Sequence, residues 1–131
     1  MTAASSFTLS KEERISSRKL IDQLFNGGRS HSMSAFPLRA VYMSTELSGV
    51  PASMLVSVPK RHFKRAVKRN RVKRQVREAY RKHRQIITEK VSGQTGGTIA
   101  IAFIWMDGKL LDTAEVEKRM VNLLNRIAER L

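Results

Sequence analysis

The chain has no cysteine among its 131 residues. This excludes disulfides and thiolate-held metals and is in keeping with a reducing compartment. No N-terminal stretch joins basic residues to a long apolar run, so no signal peptide is expected. The longest apolar run, "IAIAFIWM" at 99–106, is far too short to span a bilayer. No membrane partner is expected, and the expected location is the cytoplasm. Carboxylates are scarce as well: eleven Asp and Glu, scattered along the chain. His31, His62 and His83 show no metal-ligand spacing. A protein nuclease needs gathered carboxylates or a His acid–base pair, so no catalytic residue and no protein-held metal are expected.

What the chain does have is positive charge, and most of it in one place. The net charge is +14. Residues 60–84, "KRHFKRAVKRNRVKRQVREAYRKHR", hold 13 Lys or Arg against one Glu, or +12; the other 106 residues hold 12 basic against 10 acidic, or +2. A charge excess concentrated in this way points to a polyanion, and nucleic acid is the commonest one. The apolar content of 41% is ordinary for a globular chain. The length suggests a single domain over 1–131, with 1–6 as a loose terminus.

Along the chain, Leu20, Ile21, Leu24 and Phe25 fall at helical spacing. Ser17 is a candidate cap, as is Ser10 with Glu13 three residues on, and Gly27-Gly28 is a stop. The helix is expected at about 17–27, with 7–16 as an arm lying on the domain. "AFPLRAVYM" (35–43) reads as a strand in which Pro37 sits early or at an edge. "SMLVSV" (53–58) reads as a second strand, able to pair antiparallel with the first. A basic helix follows at about 65–90, then a loop at 92–97. "TIAIAFIW" (98–105) has the continuous apolar character of a central strand buried on both faces. A last helix, capped by Asp112 or Thr113, carries Val116, Met120, Leu123, Leu124, Ile127 and Leu131 on one stripe. The sum is an α/β (α+β) two-layer sandwich, a small mostly antiparallel sheet with about three helices.

On the basic helix, Val72, Val76, Ala79 and His83 share a narrow arc and form the docking stripe. Asn70, Arg71, Lys73, Arg74, Arg77 and Arg81 cover the other side. Lys68 and Arg69 lie nearer the borders. Tyr80 is also at a border, placed to bury its ring and present its hydroxyl. A merely solvated face would mix signs, because like charges four residues apart repel by a few tenths of a kcal/mol. Lys73–Arg77 and Arg77–Arg81 repel in this way with only Glu78 to offset them. External phosphates account for such a face, since binding them releases counterions. A disordered basic tail would need no docking stripe.

"AVKRNRVKRQVREAYR" (66–81) closely resembles the signature helix of the protein component of bacterial ribonuclease P: an Arg-Asn-Arg core, an aliphatic residue, Lys-Arg, then Arg-Glu-Ala and an aromatic. "VSVPKR" (56–61) is similar to the strand and Lys-rich turn before that helix. "ERISSRKLIDQLFNGGRS" (13–30) resembles the family's N-terminal segment, and "GTIAIAF" (97–103) its last strand. The chain departs from the pattern at Ile21, where an aromatic is frequent. It departs also at His62-Phe63, in place of a small residue, and at Pro37 and Arg39, in a strand that often presents an aromatic.

The resemblance implies a left-handed β–α–β crossover around the basic helix, which the general preference for right-handed connections would not suggest. It implies a helper of the catalytic RNA that removes the 5′ leader of precursor tRNA, with magnesium used by the RNA subunit and one protein per RNA. On this reading Lys68, Arg69, Asn70, Arg71, Lys73, Arg74, Arg77 and Arg81 bind the catalytic RNA. Arg14, Ile21, Phe25, Arg39, Lys60 and Arg61 line a cleft for the leader. Two other classes compete: a different RNA- or ribosome-binding protein, against which the complete signature speaks, and a stand-alone hydrolase, against which the scattered carboxylates speak.

Overall fold

The computed structural model describes residues 13–15, 17–45, 51–92 and 98–131. The expected capping box at Ser10, most of the N-terminal arm and the loop at 93–97 lie outside them. The order is α1 (Arg18–Asn26), β1 (His31–Ala35), β2 (Leu38–Thr45), β3 (Ala52–Ser57), α2 (Ala66–His83), α3 (Gln85–Ser92), β4 (Thr98–Trp105) and α4 (Thr113–Arg130).

The strands form one sheet in the order β1-β2-β4-β3. β1 and β2 make an antiparallel hairpin, β2 pairs antiparallel with β4, and β3 pairs parallel with β4. The expected antiparallel pairing of the second and third of these strands is therefore wrong. β4 lies between them, and the chain reaches it from β3 by a crossover through α2 and α3. β4 is the inner strand that its apolar run demanded: every residue but Ile104 is buried. β1 was not anticipated. In "HSMSA" only Met33 is buried, so one apolar side chain is all the alternation signal there is. Pro37 stands in the turn just before β2, where its missing N–H breaks no ladder bond.

Side chains alternate across the sheet and separate two cores. Leu38, Tyr42, Met54, Ile101, Phe103 and Trp105 face α2, α3 and α4. Val41, Met43, Ala100 and Ala102 face Leu20 and Leu24 of α1. The sheet-and-helix sandwich thus has α1 laid across its other face. α1 begins at Ser17, whose Oγ accepts from Leu20 N at 3.3 Å. It ends at Gly27, where a Cβ would stand 2.6 Å from Gln23 O, and Gly28 follows at φ +77°. Both positions need glycine. α4 is capped by Asp112, whose carboxylate accepts from Glu115 N at 2.9 Å.

The long basic helix is two helices. Arg84 is neither α2 nor α3; its carbonyl accepts from both Ile87 N and Thr88 N at 3.0 Å. The sequence hides this break, because Val76, Tyr80, Ile87 and Val91 keep helical spacing across it and all are buried. With α3 counted, the described residues hold four helices rather than three.

Candidate nucleic-acid interface

α2 docks through Val72, Val76, Ala79 and Tyr80, all buried. Burying each valine is worth about 1.5–3 kcal/mol, against a few tenths per repelling cation pair, so docking decides the helix's position and the charges accept it. Two residues differ from the expected pattern. Tyr80 is fully buried, hydroxyl included; its ring packs on Phe103 with centroids 5.8 Å apart, and its oxygen has no partner among the described residues. Burial, with the nearby Glu13 carboxylate, pushes its pKa up. Gln75 is buried too, and its amide donates to Leu111 O at 3.1 Å and Thr113 Oγ1 at 3.3 Å. It ties α2 to the start of α4 from within a run of cations.

The basic side chains fall into two groups. Some are occupied by the protein itself. Arg69 donates to the carbonyls of Phe63 and Lys64. Arg81 is paired with Glu78, whose carboxyl is held below its usual range chiefly by that bond. Lys82 and His83 share Glu117 of α4, with His83 Nε2 at 2.9 Å from Oε1. His83 therefore lies on the docking side as expected, half-buried. Arg84 binds Glu13 at 3.0 Å, which holds that acidic residue against the α2–α3 junction.

The other group faces outward. Lys68, Arg71, Arg74 and Arg77 are exposed, as is Asn70, and Lys73 is half-buried. None of these five cations is in an ion pair among the described residues. Lys64 and Arg65, just before α2, are exposed as well. This is a cationic face with no internal counter-charge among the described residues.

Of the expected cleft residues, Arg39 lies on the opposite face of the sheet, and Ile21 and Phe25 lie on the helix that covers that face. Register places Ser34, Arg39, Ile104 and Ser57 in one row across all four strands, on the side that carries α1. All four are exposed or half-buried, so α1 leaves this row open. Arg39 reaches along the face to Ser32 Oγ at 3.3 Å. On α1, Leu24 is fully buried while Phe25 is 43% exposed, which makes Leu24 the anchor and Phe25 a surface aromatic. Ile21 is half-buried beside it. Arg14 is exposed and bridges Met54 on the outer edge of β3. Lys60 and Arg61 are exposed in the turn that leads from β3 to α2. That turn links the open row to the cationic face.

Among the described residues no group of three His, Asp or Glu side chains could hold a metal ion. No helix among them is long and apolar enough to cross a membrane.

Comparison with known proteins gives one consistent result. The family model for ribonuclease P matches residues 9–128. The ribonuclease P protein component of Porphyromonas gingivalis is 43% identical over 129 residues, covering 98% of this chain and 92% of its own. Among solved structures, the ribonuclease P protein of Staphylococcus aureus superposes with a TM-score of 0.69 at 19% identity, covering 89% of this chain and 95% of that one. The ribonuclease P protein of Thermotoga maritima gives 0.68 at 20% identity, covering 87% and 96%. At such identities the structures speak for the fold.

Proposed function

The chain belongs to the ribonuclease P protein family, and from that premise we propose that it is the protein subunit of the ribonucleoprotein that removes the 5′ leader of precursor tRNA. It acts as one domain over 1–131, in the cytoplasm, one copy per catalytic RNA. The observation that carries the assignment of surfaces is the division of charge on α2: Lys68, Asn70, Arg71, Lys73, Arg74 and Arg77 face outward with no described carboxylate to answer them. They contact the phosphates and sugars of the catalytic RNA, which fix position rather than sequence. Arg69 and Arg81 act at one remove, by holding the turn before α2 and by pairing with Glu78.

The leader crosses the open row on the other face, where Arg39 supplies charge and Phe25 and Ile21 supply apolar surface. Lys60, Arg61 and Arg14 line the β3 end of that path. Phosphodiester hydrolysis belongs to the RNA subunit and its magnesium. The protein's contribution is electrostatic and positional: it lowers repulsion between two RNAs and orients the substrate. Photocrosslinkers at position 71 and at position 39 test the division. The first is expected to mark the catalytic RNA and the second the leader; crosslinks of both to one RNA would overturn it.

A further inference from the structure

Phe36 is 65% exposed. A lone exposed phenylalanine is ordinary, but this one is mounted on a clamped turn. It lies between β1 and β2, and three bonds hold the backbone around it. Arg126 Nη1 donates to Ser34 O at 2.7 Å, Arg119 Nε to Phe36 O at 3.0 Å, and Met106 N to Pro37 O at 2.7 Å. Pro37 is itself buried. The turn is thus fastened to α4 and to the end of β4, and its one large ring is left in solvent. A rigid mount with a free aromatic face is what base stacking requires.

The turn stands at one end of the open row. Ser34 is in that row, and Phe36 is two residues further, in the turn just past the end of β1. β3 ends at the same end of the sheet, because Ser57 pairs with Ile104 and Leu38 with Trp105. Lys60 and Arg61 follow it. Along this end of the sheet charge favours a polyanion: Arg39 in the row, Arg126 at the turn, and Lys60 and Arg61 beyond β3 at the far edge, against the exposed Asp112 that caps α4 and the half-buried Asp107 and Glu115, the last already paired with Arg119 at 3.5 Å.

We propose that Phe36 stacks on a base of the precursor's 5′ leader where the leader passes the β1–β2 turn at the β1 end of the Ser34–Arg39–Ile104–Ser57 row. The proposal rests on the leader path described above. Its occupant is single-stranded RNA, and the ring reads no particular base, since every base has a face to stack.

The test uses the protein assembled with its catalytic RNA and precursor tRNAs whose leaders increase one nucleotide at a time. Wild type is expected to gain affinity as the leader lengthens. F36A is expected to lose one step of that gain, about tenfold, with no loss for the shortest leader; F36W and F36Y restore it. 2-Aminopurine placed along the leader is expected to be quenched at one position in wild type and to regain emission there in F36A. If wild type gains affinity with length and F36A gains it equally, Phe36 holds no base and the leader path stands without it. If wild type shows no gain, the leader path fails and this inference fails with it. If F36A weakens binding of the catalytic RNA itself, with an unchanged melting curve, the ring belongs to the other RNA and the proposal is overturned.

Discussion

Arg69 Nη1 lies 2.7 Å from the carbonyl oxygen of Phe63 and 2.9 Å from that of Lys64. The first arginine of the Arg-Asn-Arg core therefore braces the turn that precedes its own helix. The second, Arg71, is exposed and in no ion pair among the described residues. Two side chains alike in sequence have different work. R69A is expected to lower stability by about 1.5–3 kcal/mol, the usual range for hydrogen bonds involving a charged group, and R71A by no more than about 0.5 kcal/mol. Urea unfolding of the two variants checks this; equal losses would contradict it.

The outward cations should matter for RNA and not for the fold. The variant R71E/R74E/R77E is expected to keep the circular dichroism spectrum and melting curve of wild type while losing assembly with the catalytic RNA. Single alanine variants should each reduce the steepness of the salt dependence, by roughly 0.7–0.9 in log–log slope for each phosphate left unneutralised. An unfolded triple variant would mean that these side chains pack rather than project.

Phe25 gives a different split. Because Leu24 anchors α1 and Phe25 keeps an exposed ring surface, F25A is expected to weaken binding of leader-bearing precursor by about tenfold and leave catalytic-RNA binding unchanged. Filter binding with the two RNAs separates these. Equal weakening of both would place Phe25 in the packing of α1.

Tyr80 carries a buried hydroxyl with no partner among the described residues. An unsatisfied buried oxygen costs free energy. Y80F keeps the ring contact with Phe103 and removes that cost, so it is expected to match or exceed wild-type stability, by up to about 1 kcal/mol. Marked destabilisation on thermal unfolding would show that the oxygen is bonded after all.

Glu117 predicts a pH dependence. The hydrogen bond from His83, with the charge of Lys82, holds its carboxyl below the ordinary 4.5. A carboxyl depressed in the folded state stabilises the fold above its unfolded pKa and loses that contribution as pH falls through the folded one. Wild type should therefore exceed E117Q in stability near neutrality, and the gap should close below about pH 4. Chemical denaturation of both proteins across that range checks it. A gap independent of pH would assign Glu117's effect to shape rather than charge.

How much of this was legible in the sequence follows from where each signal came from. β4 announced itself, because eight consecutive residues with one polar member suit only an inner strand. The docking stripe of α2 did as well, through Val72, Val76 and Ala79. β1 did not, since a strand with a single buried Met33 has almost no alternation. The α2–α3 break at Arg84 was invisible because the apolar spacing runs through it. The pairing of β3 with β4 could not be read either, since strand order is a long-range property and local pattern favoured the neighbour in sequence. Within the site, the net charge of 60–84 was legible. Which cations the protein keeps for itself was not, because Phe63 O, Glu117 and Glu13 are brought to Arg69, His83 and Arg84 only by the fold.

The central claim is that this chain assists an RNA that does the chemistry. The most direct measurement is cleavage of a precursor tRNA at low magnesium by the cognate catalytic RNA, alone and with this protein added. Stimulated cleavage at the mature 5′ end, with none from the protein alone, is the predicted result. A folded protein that leaves the rate unchanged, or that cleaves without the RNA, would contradict it.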